Sequence, residues 1–192
     1  MSIAMIPYAA VKWIWIVFGS FWVLAAFAQK RNARRQSVSS RLIQVSIIFL
    51  VLVPFFVEGR RMGLLYRHLY PNLRFVQYFG VLLLLLGCGF AVWARFVLGR
   101  NWSGIVTVKE DHTLITRGPY AWVRHPIYTG ILLALLGTAV TLGTTMNLVE
   151  VPVIAFALWL KLRTEEKFMF ETFGEQYTAY RQQVKALIPH VI

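Results

Sequence analysis

PIYTGILLALLGTAVTLGTTMNLVEVPVIAFALWL, residues 126–160, runs for thirty-five positions with a single charge, Glu150. One bilayer crossing takes about 20 apolar residues, so the stretch is too long for one span and long enough for two short ones. TLGTTMN (141–147) places glycine, threonines and asparagine in its middle, a turn signal. The reading is a helical hairpin, two membrane spans joined by a tight turn.

Working outward, residues 75–94 form twenty uncharged positions, and 42–57 a further uncharged run of sixteen. Residues 1–29 hold one charge, Lys12, among Trp13, Trp15 and Trp22. Their apolar stretch exceeds a signal-peptide core and has no basic leader, which reads as a retained membrane helix. Five spans result, and the fold class is an all-α integral membrane protein. With 58% hydrophobic residues in blocks, the chain is expected to form one membrane-embedded domain over 1–192. The lone Cys88 lies inside an apolar run and can form no intrachain disulfide.

The net charge of +12 would suggest nucleic acid in a soluble protein. Here the cations flank apolar runs, as expected of loops facing anionic membrane lipids, and no nucleic-acid partner is expected. Segments 30–41, 95–125 and 161–192 hold five Lys or Arg each; link 58–74 holds four and the 141–150 turn none. The positive-inside rule then puts the N-terminus outside and the C-terminus in the cytoplasm, with the long polar loop 95–125 beside the tail.

That loop ends in GPYAWVRHPIYTG (118–130). A residue before proline is pushed away from the α region, and proline suits the first helical position, so a span starts at Pro126 with His125 at its cap. The amides of Ile127, Tyr128 and Thr129 would then face the cytoplasm unpaired, and with Arg124 beside them they favour an anion such as a carboxylate. Alternatively, Arg124 and His125 anchor the helix among lipid headgroups. The tail opens with LKLRTEEKFMFETFGEQY (160–177). If the last span continues past the membrane surface as a helix, Lys161 and Glu165 share a face at i, i+4 and Glu166 lies about 100° around. A solvated Lys–Glu pair is the plain alternative, unless the tail encloses these acids near Arg124. Gly174 ends or bends this helix.

Other chemistry is absent from the pattern. No glycine-rich phosphate loop occurs, and GCG (87–89) suits helix packing. His68, His112, His125 and His190 lack metal-ligand spacing, so no metal is expected. Arg95 and Arg100 read as headgroup contacts ending the third span, and Asn101-Trp102-Ser103 as interfacial anchoring.

Together, NWS at 101, DHTLITRGPYAWVRHPIYTG at 111–130 and TEEKFMFETFGEQYTAY at 164–180 resemble the isoprenylcysteine carboxyl methyltransferase family, within the wider group that includes phospholipid N-methyltransferases. The match covers about the C-terminal half, making 75–192 the catalytic core and 1–74 the less similar N-terminal spans. The resemblance implies a cytoplasmic S-adenosylmethionine pocket. His112, Thr113, Leu114 and Ile115 would line one wall, and Tyr120, His125, Pro126, Ile127 and Tyr128 the second. Glu165 would bind a polar part of the cofactor, and Arg124 and Glu166 would serve the catalytic centre. Lys161 would face the acceptor, where the family commonly has arginine; a lysine lacks the bidentate grip on a carboxylate. The implied reaction is methyl transfer to a lipophilic, membrane-delivered acceptor, most like a prenylcysteine carboxylate. A phospholipid amine or small thiol is the nearest alternative, and a small transporter or channel subunit the alternative from another class.

Overall fold

The computed structural model describes residues 6–27, 67–71, 73–99 and 114–191. Five α-helices occur among them: α1 (Ile6–Phe27), α2 (Arg74–Leu98), α3 (Pro126–Leu142), α4 (Thr145–Phe173) and α5 (Glu175–Gln183). A short 3-10 helix, Gly118–Ala121, precedes α3. No strand is present among the described residues, only two isolated bridges. Helices α1, α2 and α4 are long and apolar enough to cross a membrane, and α3 is a shorter apolar helix. The expected span at 42–57 lies outside the described residues.

The hairpin forms where the sequence places it. Leu142 ends α3, and Gly143 takes the left-handed conformation at φ 64°, with its amide on the Ala139 carbonyl. A side chain is excluded there twice over: by the positive φ, and because a Cβ would stand 2.9 Å from Cζ of Tyr70. Thr144 then caps α4, its hydroxyl accepting from the Asn147 amide. Asn147 in turn donates to Glu150 at 3.4 Å, so the one charge of the hairpin is buried with a partner.

Helix α2 packs antiparallel on α3 through small residues. A Cβ on Gly130 would meet the Gly87 carbonyl at 2.6 Å, and one on Gly137 the Gly80 carbonyl at 2.5 Å. Two glycine pairs one heptad apart therefore set the register and let the backbones touch, the usual solution where lipid supplies no hydrophobic drive between helices. Gly87 thus packs as expected of GCG, while Gly89 faces open space. Helix α1 lies alongside, with Val11 and Phe18 buried against Leu84, Cys88, Ala91 and Ala134. Its Trp15 indole donates to the Thr138 hydroxyl at 2.9 Å.

Both ends of the bundle are defined by backbone contacts. At one end, Leu69 donates to the Gly143 carbonyl and Thr145 to the Arg67 carbonyl. The link before α2 and the hairpin turn therefore share a side, as the five-span reading requires. At the other end lie the C-terminus of α2, the start of α3, and the charged turns of α4. Arg95 reaches across to the Ala25 carbonyl at 3.2 Å and is 7% exposed. It is no headgroup anchor: its guanidinium is drawn inward by main-chain acceptors at the ends of α1 and α2.

Candidate active site

The site is assembled by three local features. Pro126 starts α3, and His125 sits at its cap with φ −123° and ψ 59°, outside the helical region. Helix α4 continues unbroken past its apolar part, which puts Lys161, Glu165 and Glu166 on turns facing the start of α3. Gly174, at φ 50°, ends α4 and begins α5 directly, so the tail folds back. Residues 184–187 then run beside residues 123–125: Arg124 donates to the Lys185 carbonyl at 2.8 Å and His125 to that of Ala186 at 3.0 Å.

This arrangement corrects one expectation. The amides of Tyr128 and Thr129 are both taken by the His125 carbonyl, at 3.0 and 3.1 Å. The Thr129 hydroxyl also donates to the Leu187 carbonyl at 2.7 Å. The helix start is therefore covered by the tail, and two of the three expected amides are closed.

Two carboxylates sit among donors. Tyr128 donates to Oε1 of Glu165 at 2.6 Å, and Lys161 Nζ lies 3.8 Å from the same oxygen. Arg124 directs Nε and Nη2 at Oε1 of Glu166, at 2.9 and 2.5 Å. Its remaining nitrogen donates to the carbonyls of Val184 and Arg181. Arg124 and Glu166 are 7% and 13% exposed, so the pair is largely shielded from water. His125 stands between the acids, Nδ1 3.7 Å from Glu165 and Nε2 3.5 Å from Glu166. Its ring stacks on Tyr128 with centroids 5.5 Å apart and planes 4° from parallel. Burial works against a charged imidazole here, but the two flanking carboxylates prevail and raise the His125 pKa above its ordinary value.

Tyr120 is buried beside this cluster, its carbonyl accepting from the Tyr180 hydroxyl at 2.5 Å. Burial, then Tyr180 and Glu165, push its phenol pKa far up against the opposing charge of Arg95, so it stays a neutral group. The 3-10 helix that carries it is fixed to α2 by Trp122, which stacks on Phe90 at 6.1 Å. Burial likewise raises Tyr177 and Tyr180.

Of the expected site residues, Arg124, His125, Tyr128, Lys161, Glu165 and Glu166 come together, with Tyr120 alongside. Pro126 is fully buried, and Ile127 packs with Leu158 and Leu162 in the core beneath. Leu114 and Ile115 are partly buried in the strandless segment leading to Gly118. His112 and Thr113 lie outside the described residues, as does Asn101-Trp102-Ser103. Sequence reasoning missed Tyr180, Arg181 and the 184–187 segment. The i, i+3 spacing of Tyr177 and Tyr180 was the available signal for an inward face on α5.

The comparisons with known proteins bear on the same stretch. The sequence profile of the isoprenylcysteine carboxyl methyltransferase (ICMT) family matches residues 80–171, which contain every expected site residue. The chain is 33% identical over 138 residues to a protein-S-isoprenylcysteine O-methyltransferase of Saccharomyces cerevisiae, covering 64% of this chain and 56% of that protein. It is 29% identical over 183 residues to a probable protein-S-isoprenylcysteine O-methyltransferase of Oryza sativa subsp. indica, covering 92% of each. A solved structure of the eukaryotic intramembrane Ras methyltransferase ICMT superposes with a TM-score of 0.64 at 25% identity, over 98% of this chain and 68% of that one. The chain thus spans little more than half the length of the yeast relative and nearly all of the rice one.

Proposed function

We propose that the chain is a member of the isoprenylcysteine carboxyl methyltransferase family, whose profile matches residues 80–171, and that it transfers a methyl group from S-adenosylmethionine to a lipophilic acceptor delivered through the membrane, with a prenylcysteine carboxylate as its acceptor class. One observation carries the reading. Glu165, held by Tyr128 and Lys161 at the meeting of α3 and α4, is a fixed carboxylate whose side chain is 24% exposed.

The residues fit the cofactor. Nε2 of His125 is buried and makes no close hydrogen bond among the described residues, its nearest carboxylate oxygen, on Glu166, lying 3.5 Å away. Glu165 supplies negative charge for an ammonium or ribose hydroxyls, and the Tyr128 face suits a cation. His112, Thr113, Leu114, Ile115 and Tyr120 would line the remaining wall, with Pro126 and Ile127 supporting the floor. When bound, S-adenosylmethionine supplies an electrophilic methyl carbon on a sulfonium. The work of the chain is to hold two reactants in line and keep water out. Arg124 and Glu166 keep the tail against the start of α3, which maintains that enclosure. A carboxylate acceptor is ionised at neutral pH and asks for no base. For an amine or thiol, the proton would pass to Glu166, which Arg124 holds as a carboxylate, or to His125 above its raised pKa.

Lys161, with its ammonium 5.5 Å over the Tyr128 ring, bridges the proposed cofactor wall and the apolar core. We assign it to the acceptor side. A second reading, methylation of a phospholipid amine or small thiol, is favoured by this residue being lysine rather than the fork-shaped arginine that grips a carboxylate. Residues 1–192 act as one domain, with the N-terminus outside and the cluster facing the cytoplasm. The count of Lys and Arg in the sequence, five each in segments 30–41, 95–125 and 161–192 against four in link 58–74, supports this orientation.

The test is methyl-labelled cofactor offered with prenylcysteines, aminophospholipids, thiols and fatty acids in separate arms. Base-labile label on the prenylcysteine is expected. Label on an amine or thiol alone would establish the second reading, and no labelled product with any acceptor, in a preparation that binds cofactor saturably, would remove both.

A further inference from the structure

A cavity of about 530 Å³ lies where α4 leaves the apolar layer, between its Trp159–Arg163 turn and the C-terminal segment. Its inner wall includes Arg124 and Glu166, but His125, Tyr128 and Glu165 do not line it. It therefore lies on the far side of the Arg124–Glu166 pair and shares that pair with the site.

Two physical features decide what it takes. The first is charge. Arg124, Arg163, Arg181 and Lys185 line it against a single carboxylate, Glu166, which Arg124 already holds. Three cations remain in excess, and among the described residues only Arg181 has a further ion pair, a loose one at 3.8 Å. The second is depth. Helix α4 begins at Thr145, and about 20 residues at about 1.5 Å each traverse a hydrocarbon layer, which brings Trp159 to Arg163 to the interface. The Arg163 guanidinium lies 5.0 Å over the Trp159 ring, the arrangement of an interfacial anchor. Trp159, Leu187 and Val191 give the cavity an apolar side at this level, and Trp159 and Val191 are exposed. Cations on the water side of an apolar surface at headgroup depth complement a phosphate that carries acyl chains.

We propose that this cavity binds one anionic phospholipid, its phosphate on Arg163, Arg181 and Lys185 and its chains over Trp159, Leu187 and Val191. The site goes beyond the methyl-transfer reading and does not rest on it. It has a structural consequence, because Lys185 and Leu187 also supply the carbonyls that hold Arg124 and Thr129. A bound lipid therefore steadies the segment that covers the start of α3.

The experiment uses the purified full chain in neutral detergent, with bound lipid counted by native mass spectrometry and thermal unfolding followed in parallel. Phosphatidylglycerol should be retained as one copy and raise the midpoint, and phosphatidylcholine should do neither. Arg163→Gln combined with Lys185→Gln should weaken phosphatidylglycerol binding on the order of thirtyfold, from two cations beside an anionic headgroup. Arg163→Gln alone should give a smaller loss. Arg117→Gln, which removes an exposed cation away from the cavity, should bind as the parent does. Equal retention of phosphatidylcholine, or unchanged phosphatidylglycerol binding in the double variant, overturns the proposal. Equal protection by inorganic phosphate alone does so too, because it would mark an anion site without a lipid.

Discussion

The Tyr128 hydroxyl donates to Oε1 of Glu165 at 2.6 Å and so ties the first turn of α3 to a turn of α4 thirty-seven residues away. Lys161 approaches the same oxygen from one turn earlier on α4. One carboxylate oxygen is thus fixed by a neutral donor and a cation from two helices. The other, Oε2, stands 3.7 Å from His125. Such a group is oriented before any ligand arrives, which lowers the ordering cost of binding.

Tyr128→Phe removes that donor with little change of shape. A hydrogen bond to a charged group contributes roughly 1.5–3 kcal/mol, so the unfolding midpoint should fall by roughly 4–8 °C for about 2 kcal/mol in a chain of this size. Cofactor affinity, read by calorimetry, should fall with it. An unchanged midpoint together with unchanged affinity would show that Lys161 alone holds Glu165.

The pH dependence has a definite sign. Below the ordinary histidine value of about 6.5, His125 is protonated folded and unfolded, and the attraction to Glu165 and Glu166 is fully present. Its folded pKa is raised, so this contribution is lost as pH rises through that higher value. Facing it are also the cations Arg124 and Lys161, which moderate the effect. The unfolding midpoint should decline from about pH 6.5 upward, and His125→Gln should flatten the profile. Parallel curves for parent and variant from acid to alkaline pH would mean the imidazole is neutral in the fold.

Much of this was legible in the sequence, for identifiable reasons. The 126–160 run could satisfy its backbone in lipid only as two helices, and Gly143-Thr144 supplied both the stop and the next cap. The i, i+4 spacing of Lys161 and Glu165 needed only a helix that continues. Arg95 was not legible: at the end of an apolar run it has the pattern of a snorkelling residue, and its Ala25 acceptor is seventy residues distant. The closed amides at the start of α3 were hidden too. Residues 184–187 reach residues 123–129 largely through main-chain atoms, which carry no residue-type signature.

Arg124→Ala should release that tail. Breaking a shielded pair by removing one partner costs about 3–5 kcal/mol, and among the described residues Glu166 would keep only Arg181 at 3.8 Å and His125 at 3.5 Å. The His125 amide, bonded to Ala186, should exchange with deuterium on the order of tenfold faster or more. Arg124→Lys keeps the charge but not the fork and should fall between. Parent-like exchange in the alanine variant would show that main-chain pairing alone keeps the tail in place.

Glycines on α2 and α3 make opposite predictions. A Cβ at position 137 would stand 2.5 Å from the Gly80 carbonyl, a backbone atom that cannot swing away. Gly137→Ala should destabilise by about 1–3 kcal/mol, as overpacking does. Gly89 meets nothing within 4 Å, and Gly89→Ala should stabilise by about 0.5–1 kcal/mol through lower backbone entropy in the unfolded chain. Thermal unfolding of the two variants side by side checks the helix register.

Lys161 separates the two acceptor readings. It touches Glu165 and the Tyr128 ring from the side of α4 that continues into the apolar core. Lys161→Ala should raise the acceptor KM more than it weakens cofactor binding; the reverse pattern would move the residue to the cofactor wall. Lys161→Arg supplies the planar fork that suits a carboxylate, and two parallel bonds replace one point contact. With a prenylcysteine acceptor it should lower KM severalfold, and with an amine acceptor, where a second cation only repels, it should raise it. Measuring both variants against both acceptor classes, with cofactor affinity determined separately, distinguishes a carboxylate-binding residue from one that only holds Glu165.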